Sequence, residues 1–405
     1  MLPVIKLSWA LLVGILLIML GNGLQTSLLG LRASIEGFPT AATGIIMSAF
    51  YVGFLAGSYL TPGVVKKVGY IRVFAAWSSM ASAAILLHGL FIDPWFWTGM
   101  RFVTGFCYAG LYVVAESWLN ERVENRSRGQ LLSVYMVVQY LGLAGGQLLL
   151  NLGSPAELVL FVLTSVLISL ALVPISLTAS EGSGANAQEH LGLRSLFKLA
   201  PLGVATCAGA GLATGALLGM GAVFAEQVDL SVGQISIFMT MMILGAVLLQ
   251  FPIGRLSDFR DRRRVIIGVH IIAMAAVALA FMALDMGTGW TLALIFAVGG
   301  TSMPLYALGV AYTNDQLRPA QMVAASSSLV LVFGLGASLG PIGIAASMSL
   351  LGPGGFYLGI GAIHAVLFVL TILRRPTGDE GSKEEPRAPV VRGGTGAVLE
   401  SSRSR

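Results

Sequence analysis

The sequence predicts an all-α membrane protein of twelve transmembrane helices, arranged as two pseudo-symmetric six-helix bundles. Three observations predict it: an extremely apolar composition, a succession of apolar runs each long enough to cross a bilayer, and an echo between the two halves of the chain. Of the 405 residues, 56% are hydrophobic and 11% are charged, and the mean hydropathy is +0.84. A water-soluble domain carries roughly 25% charged residues. A chain this apolar cannot cover a water-facing surface, so lipid must be its solvent over most of its area.

Crossing the hydrocarbon core takes about 20 helical residues. Apolar runs fall at residues 9–30, 42–65, 71–92, 95–119, 130–152, 157–178, 200–224, 232–254, 264–284, 288–312, 322–348 and 354–373, giving spans 1 to 12 in chain order. The first run reads as a span and not as a cleavable leader. Spans 2, 5, 8 and 11 are rich in Gly, Ser and Ala, as in Gly53-Phe54-Leu55-Ala56-Gly57 and Gly334-Leu335-Gly336-Ala337-Ser338. Small residues let helix backbones approach closely in lipid.

An even number of spans puts both ends of the chain on one side. If that side is cytoplasmic, its segments carry Lys6, Lys66, Lys67, Arg72, Arg122, Arg126, Arg128, Arg194, Lys198, Arg255, Arg260, Arg262, Arg263, Arg264 and Arg318, while the outer loops carry Arg32 alone. Positive residues gather on the cytoplasmic side, so both termini are expected there. This distribution also accounts for the net charge of +5 without a nucleic-acid partner. Residues 1–178 are expected to form an N-terminal six-helix bundle and 179–199 a polar cytoplasmic linker. Residues 200–374 form a C-terminal six-helix bundle, and 375–405 a charged tail with the composition of a disordered segment.

The halves echo each other at nearly one offset. The loop after span 2 reads Pro62-Gly63-Val64-Val65-Lys66-Lys67-Val68-Gly69-Tyr70-Ile71-Arg72-Val73, and 192 residues later the loop after span 8 reads Gly254-Arg255-Leu256-Ser257-Asp258-Phe259-Arg260-Asp261-Arg262-Arg263-Arg264-Val265. Trp118-Leu119-Asn120-Glu121-Arg122-Val123 ends span 4, and at a shift of 194 Tyr312-Thr313-Asn314-Asp315-Gln316-Leu317 ends span 10. Duplicated six-helix units with a site between them are a transporter architecture.

These segments resemble the major facilitator superfamily over the whole membrane region. Gly254 followed by Asp258 and the basic cluster Arg262, Arg263 and Arg264 is similar to that superfamily's cytoplasmic loop signature, with Asp261 where a glycine is usual. The first-half copy departs further, with Lys66 at the acidic position and Pro62 for the first glycine. Arg101-Phe102-Val103-Thr104-Gly105 resembles the Arg-x-x-x-Gly element often tied to proton coupling. Glu116-Ser117-Trp118-Leu119-Asn120 with Arg128-Gly129 looks most like the YcaD-like branch. The Gly-Pro-x-x-Gly-Gly signature of drug–proton antiporters is missing from span 5, which reads Gly142-Leu143-Ala144-Gly145-Gly146-Gln147. The resemblance implies spans 1, 4, 7 and 10 around a central cavity, alternating access, and a bacterial inner-membrane location. It also implies cytoplasmic latches at the Asp258 loop and at Asn120-Glu121 and Asn314-Asp315.

A charge inside hydrocarbon costs about 2.5–3.5 kcal/mol on insertion scales, so the exceptions inside the spans are informative. Positions 101, 105, 108, 112 and 116 share one helical face of span 4, presenting Arg101, Gly105, Tyr108, Tyr112 and Glu116. Two readings of Arg101 are open: it attracts an anionic group or controls a proton site, or it is a structural arginine on backbone carbonyls. Glu116 either carries a proton or, near the interface, pairs with Arg122, Arg128 or the span 2 loop as a gate. Asn22, Gln25 and Thr26 share a face of span 1, where uncharged amides need partners. They bind substrate or hold helices together, and Tyr135, Gln139 and Gln147 of span 5 pose the same choice. Span 10 offers Thr301, Ser302, Met303 and Tyr306, with Pro304 placed to break the helix. Met239, Met241 and Met242 suit a promiscuous apolar surface or plain packing. His88, His270 and His364 fall in spans 3, 9 and 12, where packing or interfacial roles are expected; His190 lies in the linker.

No Gly-x-x-x-x-Gly-Lys-Ser/Thr sequence is present, so this chain has no ATP-binding loop of its own. No nucleophile–base or His/Asp/Glu cluster points to an enzyme, and Cys107 and Cys207 lack metal-ligand spacing. The expected activity is secondary transport of a small organic molecule, weakly anionic or amphipathic, with proton coupling. An uncoupled facilitator and a transport-dead sensor or scaffold are the alternatives. The expected partners are the substrate, protons and the bilayer; the chain is expected to act as a monomer with no cofactor or metal.

Overall fold

The computed structural model describes residues 2–122, 125–177, 192–284 and 286–373. The tail from 375 lies outside the described residues, as do the side chains of Asn120 and Glu121. Among the described residues, twelve helices are long and apolar enough to cross a membrane: Trp9–Ile35, Thr40–Val68, Tyr70–Leu90, Pro94–Leu119, Ser133–Leu152, Val159–Ser176, Pro201–Gln227, Val232–Phe259, Arg262–Met282, Thr288–Asn314, Ala325–Leu351 and Gly355–Leu373. The helix ends follow local chemistry. Ser231 caps span 8 in a reciprocal capping box with Gln234, and Asp261 accepts from the Arg264 amide to start span 9. Span 10 is interrupted between Ser302 and Leu305, where Pro304 supplies no amide hydrogen to continue the ladder.

Residues 1–374 form one compact unit. Spans 2 and 4, 1 and 5, and 3 and 6 pack together, and the same pairings recur six spans later as 8 with 10, 7 with 11 and 9 with 12. The first six spans meet the last six chiefly where span 2 packs on 11, span 1 on 7 and span 5 on 8. Within the first half, spans 2 and 4 touch backbone to backbone. A Cβ at Gly53 would overlap the Phe102 carbonyl oxygen, and one at Gly105 the Phe50 carbonyl oxygen. Lipid offers no hydrophobic drive to join helices, so close backbone packing at such glycines supplies the attraction instead.

Contacts between the halves concentrate at one end of the molecule, where span 1 ends and span 2 begins. Gln227 Nε2 donates to Thr40 Oγ1 at 3.2 Å and Asn151 Nδ2 to Ser236 Oγ at 2.9 Å. Gly44 lies against Ala345 and the Pro341 carbonyl. Further along, Tyr140 Oη donates to Gln250 Oε1 across the halves at 3.4 Å.

The segment expected to be a purely polar linker contains a short helix, Leu193–Leu199. Leu196 is buried, while Leu193, Phe197 and Leu199 are exposed beside Arg194 and Lys198. An apolar side with flanking cations suits the plane of a membrane interface.

Candidate functional site

A cavity of about 230 Å3 lies between the halves. The first half contributes Met19, Asn22 and Thr26 of span 1, Phe50, Tyr51 and Phe54 of span 2, Arg101 and Tyr112 of span 4, and Gln139, Tyr140 and Leu143 of span 5. The second half contributes Thr214, Leu218 and Gly219 of span 7 and Val330, Phe333 and Gly334 of span 11. The four-span lining implied by the family resemblance is therefore corrected: spans 2, 5 and 11 supply walls and span 10 supplies none. Span 2 packs directly on span 11, and span 10 is set behind span 11, where its Tyr306 ring packs on the lining residue Phe333.

Among the described residues, Arg101 is the only charged side chain of the lining. It is 2% exposed, and its guanidinium carbon sits 4.6 Å from the centroid of the Phe50 ring. Nη2 approaches Met47 Sδ at 3.8 Å, while Nε and Nη1 have no protein partner. No carboxylate forms an ion pair with it among the described residues. A cation held in this way is stabilised by the face of an aromatic ring but keeps unused donors, two of which point to no protein acceptor. The alternative of a structural arginine bound to backbone carbonyls has no such bond to support it among the described residues.

Of the other candidates, Asn22, Thr26, Tyr112 and Gln139 reach the cavity with Arg101. Thr26 Oγ1 turns back to the Asn22 carbonyl at 2.8 Å, leaving Asn22 Oδ1 buried with no protein partner. Tyr112 Oη lies 3.3 Å from Met19 Sδ. Tyr108, Gln25, Met303 and Tyr306 do not line the cavity. Tyr108 is fully buried beside span 1, with its hydroxyl near Gly21. Gln25 is fully buried and neither amide atom has a protein partner. Tyr306 supports the lining from behind, its ring edge on Phe333 at 4.9 Å. The shared face of span 4 thus divides, because Tyr108 is packed against span 1 at Gly21 while Arg101 and Tyr112 line the cavity.

Glu116 also lies outside the lining. It is exposed, four residues before Asn120, and accepts from Tyr135 Oη at 3.3 Å. Gln147 is tied instead to Ser27, which donates to its Oε1. The histidines are packed away from the cavity. His270 Nδ1 faces His364 Nδ1 at 3.1 Å, and His364 Nε2 meets Ser302 Oγ at 2.9 Å.

Among the lining residues not proposed from the sequence, five are aromatic: Phe50, Tyr51, Phe54, Tyr140 and Phe333. The visible signal is the pair Phe50-Tyr51 with Phe54 one turn on, in a span that also carries Ile45, Ile46, Met47, Val52 and Leu55. In an apolar helix that pattern reads equally as lipid-facing surface.

At the other candidate locus, Arg262 gathers three contacts. Nε donates to Asp315 Oδ2 at 2.6 Å, Nη1 to Ser257 Oγ at 3.0 Å and Nη2 to Asp258 Oδ1 at 3.4 Å. Arg263 donates to the carbonyls of Thr371 and Ile372 at the end of span 12. Arg264 is exposed, and the Gly254 α-carbon has open space around it. Asn314 Oδ1 is buried with no protein partner. This cluster ties spans 8, 9, 10 and 12 of one half together.

The sequence model of the family described as Major Facilitator Superfamily matches residues 11–231 and again 202–402. A protein of Escherichia fergusonii described as the uncharacterized MFS-type transporter YcaD is 31% identical over 333 residues, covering 82% of this chain and 86% of that protein. The crystal structure of the nucleoside transporter NupG superposes with a TM-score of 0.77 at 16% identity, over 91% of this chain and 100% of that one. An inward-facing, occupied bacterial homologue of the human lysosomal transporter Spinster gives 0.72 at 15% identity, over 91% and 94% of the two chains. At these identities the structural likeness concerns the fold.

Proposed function

This chain belongs to the Major Facilitator Superfamily, and we propose that it moves a small organic anion across the membrane by alternating access, coupled to protons. The observation that carries the reading is Arg101, a buried cation lining the central cavity with two nitrogens lacking protein partners and no acidic neighbour in the lining. Leaving such a charge unpaired is costly, and a substrate carboxylate completes it through charge-assisted hydrogen bonds. The two halves rock about this site. The contacts Thr40–Gln227, Asn151–Ser236 and Gly44–Ala345 seal one end. By the distribution of Lys and Arg that end faces outward, both termini are cytoplasmic, and the membrane is the bacterial inner membrane.

Glu116 is the coupling group in this scheme; it accepts from Tyr135 Oη and lies one helical turn beyond Tyr112, which lines the cavity. A second reading, an uncoupled facilitator, is favoured by the absence of Glu116 from the cavity lining. Proteoliposomes loaded with a pH-sensitive dye separate the two. Organic monoanions that move protons in the wild type, and no longer do so in Glu116→Gln, support coupling. Anion flux without proton movement supports the facilitator. Binding without flux leaves the sensor or scaffold reading in its place.

A further inference from the structure

The cavity also carries information about the body of the substrate, and this step rests on the reading of Arg101 as the anion site. Six of the 17 lining residues are aromatic in a chain that is 9% aromatic, so the enrichment belongs to the site and not to the composition. The rings form a continuous wall leading away from the charge. Phe50 lies under the guanidinium at 4.6 Å, Phe54 follows at 6.3 Å from Phe50, and Tyr112 at 5.8 Å from Phe54. Phe333 of the other half lines the same cavity. Aromatic partners favour offset or edge contacts at about 4.5–7 Å between centroids, a spacing that the wall already uses.

Three further features narrow the ligand. With one cation and no second one in the lining, a second negative charge would be buried uncompensated, which disfavours dicarboxylates and phosphate esters. The volume of about 230 Å3 lies below the ~300–1,000 Å3 of sites for drug-sized molecules, which fits a single ring. Asn22 and Thr214 line the cavity, one in each half, and Asn22 Oδ1 and Thr214 Oγ1 are buried with no protein partner. The Asn22 oxygen can only accept, so it calls for a donor, which a carboxylate is not.

We propose that the substrate is a planar, single-ring aromatic monocarboxylate bearing a ring hydroxyl. Its carboxylate sits on Arg101, its ring on the Phe50–Phe54 wall, and its hydroxyl donates to Asn22 or meets Thr214.

The test is a thermal-shift titration of the full-length purified protein. The ligands are para-hydroxybenzoate, benzoate, cyclohexanecarboxylate, para-hydroxybenzyl alcohol and terephthalate, since a ligand of the folded state raises the melting temperature by mass action. We expect para-hydroxybenzoate to bind best, with benzoate weaker and cyclohexanecarboxylate weaker by about tenfold or more, as loss of ring contacts of ~1.4 kcal/mol implies. The alcohol and the dianion should give no shift. Arg101→Gln should abolish the response to all three monocarboxylates. Phe54→Leu keeps the charge, and should weaken para-hydroxybenzoate while leaving cyclohexanecarboxylate unchanged. Equal binding of cyclohexanecarboxylate and benzoate overturns the aromatic class but leaves the anion site standing. A shift with the alcohol that survives Arg101→Gln overturns the anion reading itself. No shift with any member of the panel overturns the proposed class.

Discussion

Arg262 and Asp315, 53 residues apart, meet at 2.6 Å and join the start of span 9 to the end of span 10. The same guanidinium reaches Asp258 at the longer distance of 3.4 Å, and both carboxylates are more than half exposed. Exposed pairs of this kind contribute about 0–1 kcal/mol to stability, so their importance is in holding an arrangement that can release. Asp315→Asn should slow flux more than Asp258→Asn, with neither changing substrate preference and with melting temperature nearly unaltered. Equal wild-type rates in both variants would remove the latch from the mechanism.

Gly53 and Gly105 are where spans 2 and 4 touch through backbone, and a methyl group at either overlaps a carbonyl oxygen. Overpacking of this type costs about 1–3 kcal/mol. Gly53→Ala and Gly105→Ala should each lower the melting temperature and disturb the wall that carries Phe50 and Arg101. Gly254 is the contrast. It lies inside the helix Val232–Phe259 with open space where a Cβ would go, so Gly254→Ala should be neutral or stabilising by up to about 1 kcal/mol. A destabilised Gly254→Ala would show that this glycine is packed in another state of the cycle.

Three helices share the proton chain Ser302–His364–His270, in which both histidines are fully buried. His364→Leu strands the Ser302 hydroxyl and His270 Nδ1, at about 1–3 kcal/mol for each buried group left unsatisfied. Replacing both histidines with Leu removes the stranded imidazole as well. The double variant should therefore melt higher than the sum of the two single losses predicts. Strict additivity in thermal denaturation would mean that the two rings do not depend on each other.

The sealed end offers a test of alternating access. Thr40 and Gln227 bridge the halves at 3.2 Å, and Cys107 and Cys207 are buried. In Thr40→Cys/Gln227→Cys, a short thiol-specific cross-linker should trap the observed state and arrest flux, with recovery on cleavage of the linker. Undiminished flux after complete cross-linking would show that this end does not need to open. As a complement, Gly44→Trp should hold the sealed end apart, because Gly44 abuts Ala345 and the Pro341 carbonyl.

The solvent, the number of spans and the family are legible in the order of residues alone. Lipid forces each crossing segment to be one long apolar helix, and that requirement can be counted residue by residue. The order of residues also marks Arg101, because a lone cation in an apolar run is conspicuous wherever it ends up. The tertiary structure alone decided the walls of the cavity. Phe50, Phe54 and Phe333 are apolar residues among many, and nothing in a local pattern distinguishes a ring facing lipid from one facing a cavity. The division of the Arg101 face, with Tyr112 at the cavity and Tyr108 buried against span 1, was settled by which neighbour packs closest. Hydropathy reports how a helix meets the bilayer as a whole. Which side of it meets another helix depends on distances between segments tens to hundreds of residues apart, such as the approach of Gly44 to Ala345.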